Sequence, residues 1–157
     1  MENFFIENGH IILRLGVAVI LGMLIGAERI LVHKEAGMKT HALVSMGSAL
    51  FVIISVYLSA LYTGADSTRI AANIIVGIGF LGAGSIILEG SRLKGLTTAS
   101  GLWVTAGIGM AAGFGLFSLA VVSTIFILIV FIAMNFLEKP LAKISDKNFA
   151  DYNKKEI

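Results

Sequence analysis

Four stretches of this 157-residue chain contain no Asp, Glu, Lys or Arg: 15–27, 40–65, 70–88 and 95–137, of 13, 26, 19 and 43 residues. A soluble core cannot absorb them. The chain is 57% hydrophobic and 14% charged, against about 25% charged in an average soluble domain. A hydrocarbon layer about 30 Å thick is crossed by about 20 apolar residues in a helix, so the two middle runs each fit one crossing. Helices satisfy their own backbone groups in lipid, and the chain reads as an all-α integral membrane protein.

As one helix the longest run would extend about 65 Å, twice what a bilayer requires. Gly113-Phe114-Gly115 is the natural turning point, because two glycines permit the positive φ of a tight connection. The spacing therefore predicts five transmembrane helices in a glycine-rich, tightly packed bundle, at 11–27, 42–62, 70–88, 96–114 and 116–137, with a basic tail at 138–157. Orientation follows from Lys and Arg in the connections. Arg29, Lys34, Lys39, Arg92, Lys94, Lys139, Lys143, Lys147, Lys154 and Lys155 fall on one side, and only Arg69 on the other. That asymmetry places the N-terminus outside and the C-terminus in the cytoplasm.

The same counts exclude other classes. Twelve basic and ten acidic residues leave a net charge of +2, and the basic excess sits in the tail, so nucleic acid is not an expected partner. The absence of Cys removes disulfides, thiolate metal sites and cysteine nucleophiles. The acidic N-terminus lacks the positive region of a cleaved signal peptide, so the first apolar run is expected to be retained. His10, His33 and His41 share no ligand spacing, and no nucleophile, base and orienting acid stand in a catalytic pattern. An enzyme is not expected, nor a cofactor, with Mg²⁺ the one ion to consider.

In lipid, helices associate through close approach at small residues. Ala18, Gly22 and Gly26 form one such stripe, and Gly101, Thr105, Gly109 and Gly113 another, so helices one and four are expected to pack on each other or across an oligomer interface. Gly77, Gly79, Gly82 and Gly84 spell a dinucleotide fingerprint, but inside an apolar crossing they read as helix packing instead.

Charges and polar groups at depth need partners. Arg14 either snorkels to the headgroups or pairs within the bundle; helical geometry puts it on the same side as Glu28 and Arg29, which themselves read as an interfacial pair or a site. Asp66 is placed to cap helix three, or to form an outer gate with Arg69. Asn73 is expected to hydrogen-bond to another helix. Thr97, Thr98 and Ser100 cap helix four or bind an anion at its start. Trp103 lies too deep for an interfacial belt and is expected inside the bundle. In the tail, Leu141, Ile144, Phe149 and Tyr152 recur at near-helical spacing, either lying on the anionic leaflet or forming no fixed structure.

Several blocks together resemble the bacterial MgtC/SapB family. They are Gly22-Met-Leu-Ile-Gly26-Ala-Glu28-Arg29, Gly37-Met-Lys39-Thr40-His41, Arg69-Ile-Ala-Ala-Asn73, the segment from Gly77 to Gly84, and Gly95-Leu-Thr97-Thr98 through Trp103. Ser67, Asn73 and Gly101 stand where that family commonly has Pro, Gln and Ala. The resemblance implies a bacterial inner-membrane protein tied to magnesium homeostasis, with some members restraining the proton-driven ATP synthase. It also implies a short, SapB-like form lacking the soluble domain of longer members. Mg²⁺ favours octahedral oxygen ligands that include carboxylates, and all acids fall at or beyond the predicted helix ends. The expectation is a regulator that contacts other membrane proteins or a second copy of itself; the alternative is a Mg²⁺ transporter or channel.

Overall fold

The computed structural model describes the backbone of residues 2–62 and 66–153 and the side chains of 8–62 and 66–137. Among the described residues five helices run in chain order: α1 (Glu2–Leu31), α2 (Met38–Leu61), α3 (Ser67–Gly84), α4 (Leu96–Phe114) and α5 (Phe117–Asn153). A small antiparallel hairpin, β1 (Ile87–Glu89) and β2 (Arg92–Lys94), joins α3 to α4. Among the described residues four helical segments are long and apolar enough to cross a membrane: Asn8–Leu31, Met38–Leu61, Ser67–Gly84 and Phe117–Leu137. The fourth helix in the chain, α4, has 19 residues, about 28 Å, and so matches a bilayer in length. Its glycines, threonines and serine lower its hydropathy. The physical reason lies in its position, since α4 touches all four other helices and ten of its residues are buried.

Two boundaries differ from expectation. Helix α3 stops at Gly84, where the Ser85 hydroxyl donates to the Gly82 carbonyl at 2.7 Å, and the apolar run to residue 88 continues as the first hairpin strand. Helix α5 does not end with the apolar run but continues to Asn153; the side chains of the tail lie outside the described residues. The turn between α4 and α5 forms where expected. Gly115 adopts φ +80°, and its amide and that of Leu116 bond back to the carbonyls of Ala111 and Ala112.

The two small-residue stripes meet α2, rather than serving mainly to join α1 to α4. A Cβ added to Gly22 would lie 2.6 Å from the His41 carbonyl oxygen, and one on Gly26 2.5 Å from the Met38 Cα. On the other side of α2, a Cβ on Gly109 would lie 2.1 Å from the Ser45 carbonyl oxygen, and one on Gly113 2.8 Å from that of Ala49. Backbone contact on both sides makes α2 a plank between α1 and α4. Helices α1 and α4 do share the apolar core, through Ala18, Leu21, Ile25, Ile108, Ala111 and Ala112, which α5 completes with Ala120, Ile127 and Phe131.

Candidate functional site

One group of buried polar residues gathers at one end of this core. Glu28 and Arg29 sit in the last turn of α1, which ends at Leu31, so Glu28 stands at a helix end as its sequence position suggests. Both are buried, with Arg29 only 2% exposed. The Arg29 guanidinium pairs with the Glu28 carboxylate through Nε and a terminal nitrogen, and lies 3.4 Å from the centre of the Phe131 ring on α5. Asn135, one turn further along α5, donates from Nδ2 to the other Glu28 oxygen at 3.2 Å. The pair, read from the sequence as interfacial or as a site, is enclosed by the bundle at the end of α1. Ring and amide offset the cost of withdrawing these charges from water, and removal of either charge strands the other.

His41 belongs to this end as well. It is not in the connection before α2 but one turn inside it, fully buried. Its Nδ1 stands 2.9 Å from the Thr105 hydroxyl on α4, and that hydroxyl is 2.8 Å from the Gly101 carbonyl. Thr105 has one proton and gives it to Gly101, so it accepts from His41 Nδ1–H. In a neutral ring the lone pair is then on Nε2, which has no hydrogen-bond partner among the described residues, nor has the buried Ser45 hydroxyl one turn on. Gly101 makes room for the group: a Cβ there would meet Phe131 at 2.9 Å and the His41 ring at 3.6 Å. One glycine thus seats both the imidazole and the ring that covers Arg29.

Other candidates stand elsewhere. Arg14 does not join Glu28 and Arg29; its Nη1 donates to the Gly113 carbonyl at 2.9 Å, bringing positive charge to the C-terminal, negative end of the α4 dipole. Asp66 is the N-cap of α3, accepting from the Thr68 amide at 2.8 Å and the Thr68 hydroxyl at 2.6 Å. These two bonds, with a smaller contribution from Arg69, hold its carboxyl below its ordinary value. Asn73 is exposed and donates to the Arg69 carbonyl of its own helix at 3.1 Å, not to another helix. Trp103 is 54% exposed and faces outward beside Ile75 and Ile78, contrary to its expected place inside the bundle. Thr40 lies on the outer side of α2. Capping by Thr97, Thr98 or Ser100 does not occur: the N-cap of α4 is Gly95, without a side-chain bond, and Ser100 donates back to Leu96.

The glycines of α3 also depart from expectation. Only Gly82 meets a neighbour, Ala99 of α4, at an ordinary 3.6 Å; Cβ atoms on Gly77, Gly79 and Gly84 would meet nothing within 4 Å. The buried face of α3 is carried by Ala71, Ile78 and Gly82, and the other glycines point away from it.

Phe131, Asn135 and Ser45 were not among the sequence candidates. Asn135 had a signal, as a strongly polar side chain in an apolar run at the end that carries Glu28; the other two are ordinary apolar or small residues in an apolar helix. Among the described residues, no three His, Cys, Asp or Glu side chains stand close enough to share a metal ion.

Comparison with known proteins places this arrangement. The MgtC family model matches residues 15–140, a span that contains all of the buried polar cluster. YhiD of Escherichia coli strain K12, a candidate magnesium transporter by its name, is 42% identical over 128 residues, covering 78% of this chain and 60% of its own length. Protein MgtC of Brucella abortus strain 2308 is 46% identical over 128 residues, with 81% and 50% covered. Protein MgtC of Salmonella typhimurium strain 14028s is 49% identical over 118 residues, with 74% and 49% covered. The chain thus spans from half to three-fifths of the length of these curated relatives. No solved structure matches it. This multi-helix, apolar chain belongs to the MgtC family.

Proposed function

We propose that this is a five-crossing protein of the bacterial inner membrane, N-terminus outside, that serves magnesium homeostasis by contacting other membrane proteins. The names of its relatives and its family membership support the link to magnesium. The contrast between its two sets of glycines supports the mode of action. Inward glycines on α1 and α4 bring backbones into contact, whereas Gly77, Gly79 and Gly84 of α3 and Gly107 of α4 face open space. Glycine lowers helix stability, and in lipid the compensation is close approach of another helix. No helix among the described residues provides it there, which fits a partner helix that does.

A magnesium permease is the second reading, favoured by the name of YhiD. Against it stands the state of Glu28, the one carboxylate within the described apolar segments, whose two oxygens are already engaged by Arg29 and Asn135. Because the chain has no Cys, single cysteines report contacts directly. Crosslinking in native membranes from position 77 or 79 is expected to give a defined protein adduct, and from lipid-facing position 125 none. Monomer alone at all three positions contradicts the contact reading.

A further inference from the structure

Helices α1 and α2 meet backbone to backbone: a Cβ on Gly26 would lie 2.5 Å from the Met38 Cα, and one on Gly37 would meet the Ile30 side chain at 2.8 Å. Helices this close leave no room between them for large side chains, which are set to the flanks. On one flank they border a cavity of about 790 Å³, walled by Met23 and Ile30 of α1 and by Met38, Ala42 and Leu43 of α2. Ala42 is the small residue of that row and keeps the cavity open as a trough. From Met23 to Leu31, the last residue of α1, the helix rises about 12 Å, so the trough runs from the helix end well into the apolar span. No other helix fills it among the described residues. Ile30 and Leu43 on its walls are 50% and 63% exposed.

The mouth of the trough is charged. Lys34, in the connection after α1, and Lys39, in the first turn of α2, line it together with Glu35. All three are exposed, and none forms an ion pair among the described residues. Two cations against one acid leave a positive mouth on an apolar trough. A free anion would gain nothing from the walls, and an uncharged chain would gain nothing from the lysines. The combination suits an amphiphile that joins an acyl chain to an anion, and lysine, an ammonium on an apolar stem, is suited to meet such a headgroup at the edge of a bilayer.

We propose that the trough between α1 and α2 binds an anionic phospholipid, with an acyl chain along Met23, Ile30 and Ala42 and the phosphate between Lys34 and Lys39. The net charge at the mouth selects this lipid over a zwitterionic one, whose own ammonium cancels the attraction. Glu35 lowers the affinity without reversing the sign. The site requires α1 and α2 to lie in a bilayer but not the partner contacts proposed at α3, so the two proposals stand or fall separately.

The purified full chain is mixed in detergent with phosphatidylglycerol, phosphatidylethanolamine or phosphatidylcholine, and native mass spectrometry counts the lipids retained per protomer. One phosphatidylglycerol is expected at saturation, with the two zwitterionic lipids held more weakly. Lys34→Gln and Lys39→Gln each weaken its retention about fivefold, the effect of one lysine beside an anionic headgroup. Ala42→Phe, which fills the trough, weakens it with both lysines present, and Glu35→Gln tightens it. Arg92→Gln removes a cation of the hairpin, outside the trough, and leaves retention unchanged. Both lysines are exposed, so their substitution leaves the fold intact, which circular dichroism checks. Equal retention of the three lipids overturns the proposal. So does wild-type retention in the Lys34→Gln/Lys39→Gln double variant or in a folded Ala42→Phe chain. A loss in Arg92→Gln as large as in either lysine variant also overturns it, since the attraction would then belong to the whole charged end.

Discussion

His41 on α2 and Thr105 on α4 are joined by a hydrogen bond of 2.9 Å in which the imidazole donates. The direction follows from the Thr105 proton already serving Gly101. The expected state of His41 is therefore the tautomer protonated at Nδ1, readable from its ¹⁵N shifts in the detergent-solubilised chain. Thr105→Val leaves that N–H unpaired at a packed interface and is expected to cost about 1–3 kcal/mol of stability. A ring protonated at Nε2 in the neutral state contradicts this geometry.

The Glu28–Arg29 pair makes a prediction about coupling. Arg29→Met leaves a buried carboxylate and is expected to destabilise the bundle by about 3–5 kcal/mol. Adding Glu28→Gln to that variant removes the stranded charge and recovers most of the loss, because Asn135 can still bond to an amide. Unfolding in mixed micelles measures the cycle; additive losses from the two changes would mean that the residues act independently.

Close backbone contact at α2 predicts opposite outcomes for two glycines of one helix. Gly109→Ala places a methyl against the Ser45 backbone and is expected to cost about 1–3 kcal/mol, since carbonyl and Cα must move together. Gly107→Ala, with open space around it, is expected to leave stability unchanged or raise it through helix propensity. Thermal melts of the two variants side by side decide the matter.

Asp66 supplies a pH dependence outside the apolar spans. Its carboxyl is held below its ordinary value of 3.8 by the bonds from Thr68, so the folded state favours the ionised form. The cap is in place above the unfolded-state value and is lost as pH falls through the lower folded one. The Thr68 amide resonance is expected to titrate with a midpoint below 3.8; a midpoint at or above that value contradicts the cap.

Much of the architecture was legible because lipid imposes strict rules. Uncharged runs marked the helices, and Gly113 to Gly115 marked the turn between α4 and α5. The site was less legible. The family blocks pointed to Glu28, Arg29 and His41, but nothing local to residues 28 and 29 says that Phe131, about 100 positions later, covers the guanidinium. Small-residue spacing gave a contact face without naming what it contacts: the stripes on α1 and α4 met α2, and most glycines of α3 met nothing. Trp103 shows the converse. Depth in the bilayer was inferred from its position, but an aromatic ring at depth can face outward as readily as inward, and Trp103 is 54% exposed.

The central claim is that this chain acts by contact rather than by carrying magnesium, and flux measures it most directly. The purified full chain in liposomes loaded with a Mg²⁺-sensitive dye is expected to admit Mg²⁺ no faster than protein-free liposomes. Saturable uptake, abolished by Glu28→Ala or Asp66→Ala in protein that remains folded, would contradict the account and establish a permease.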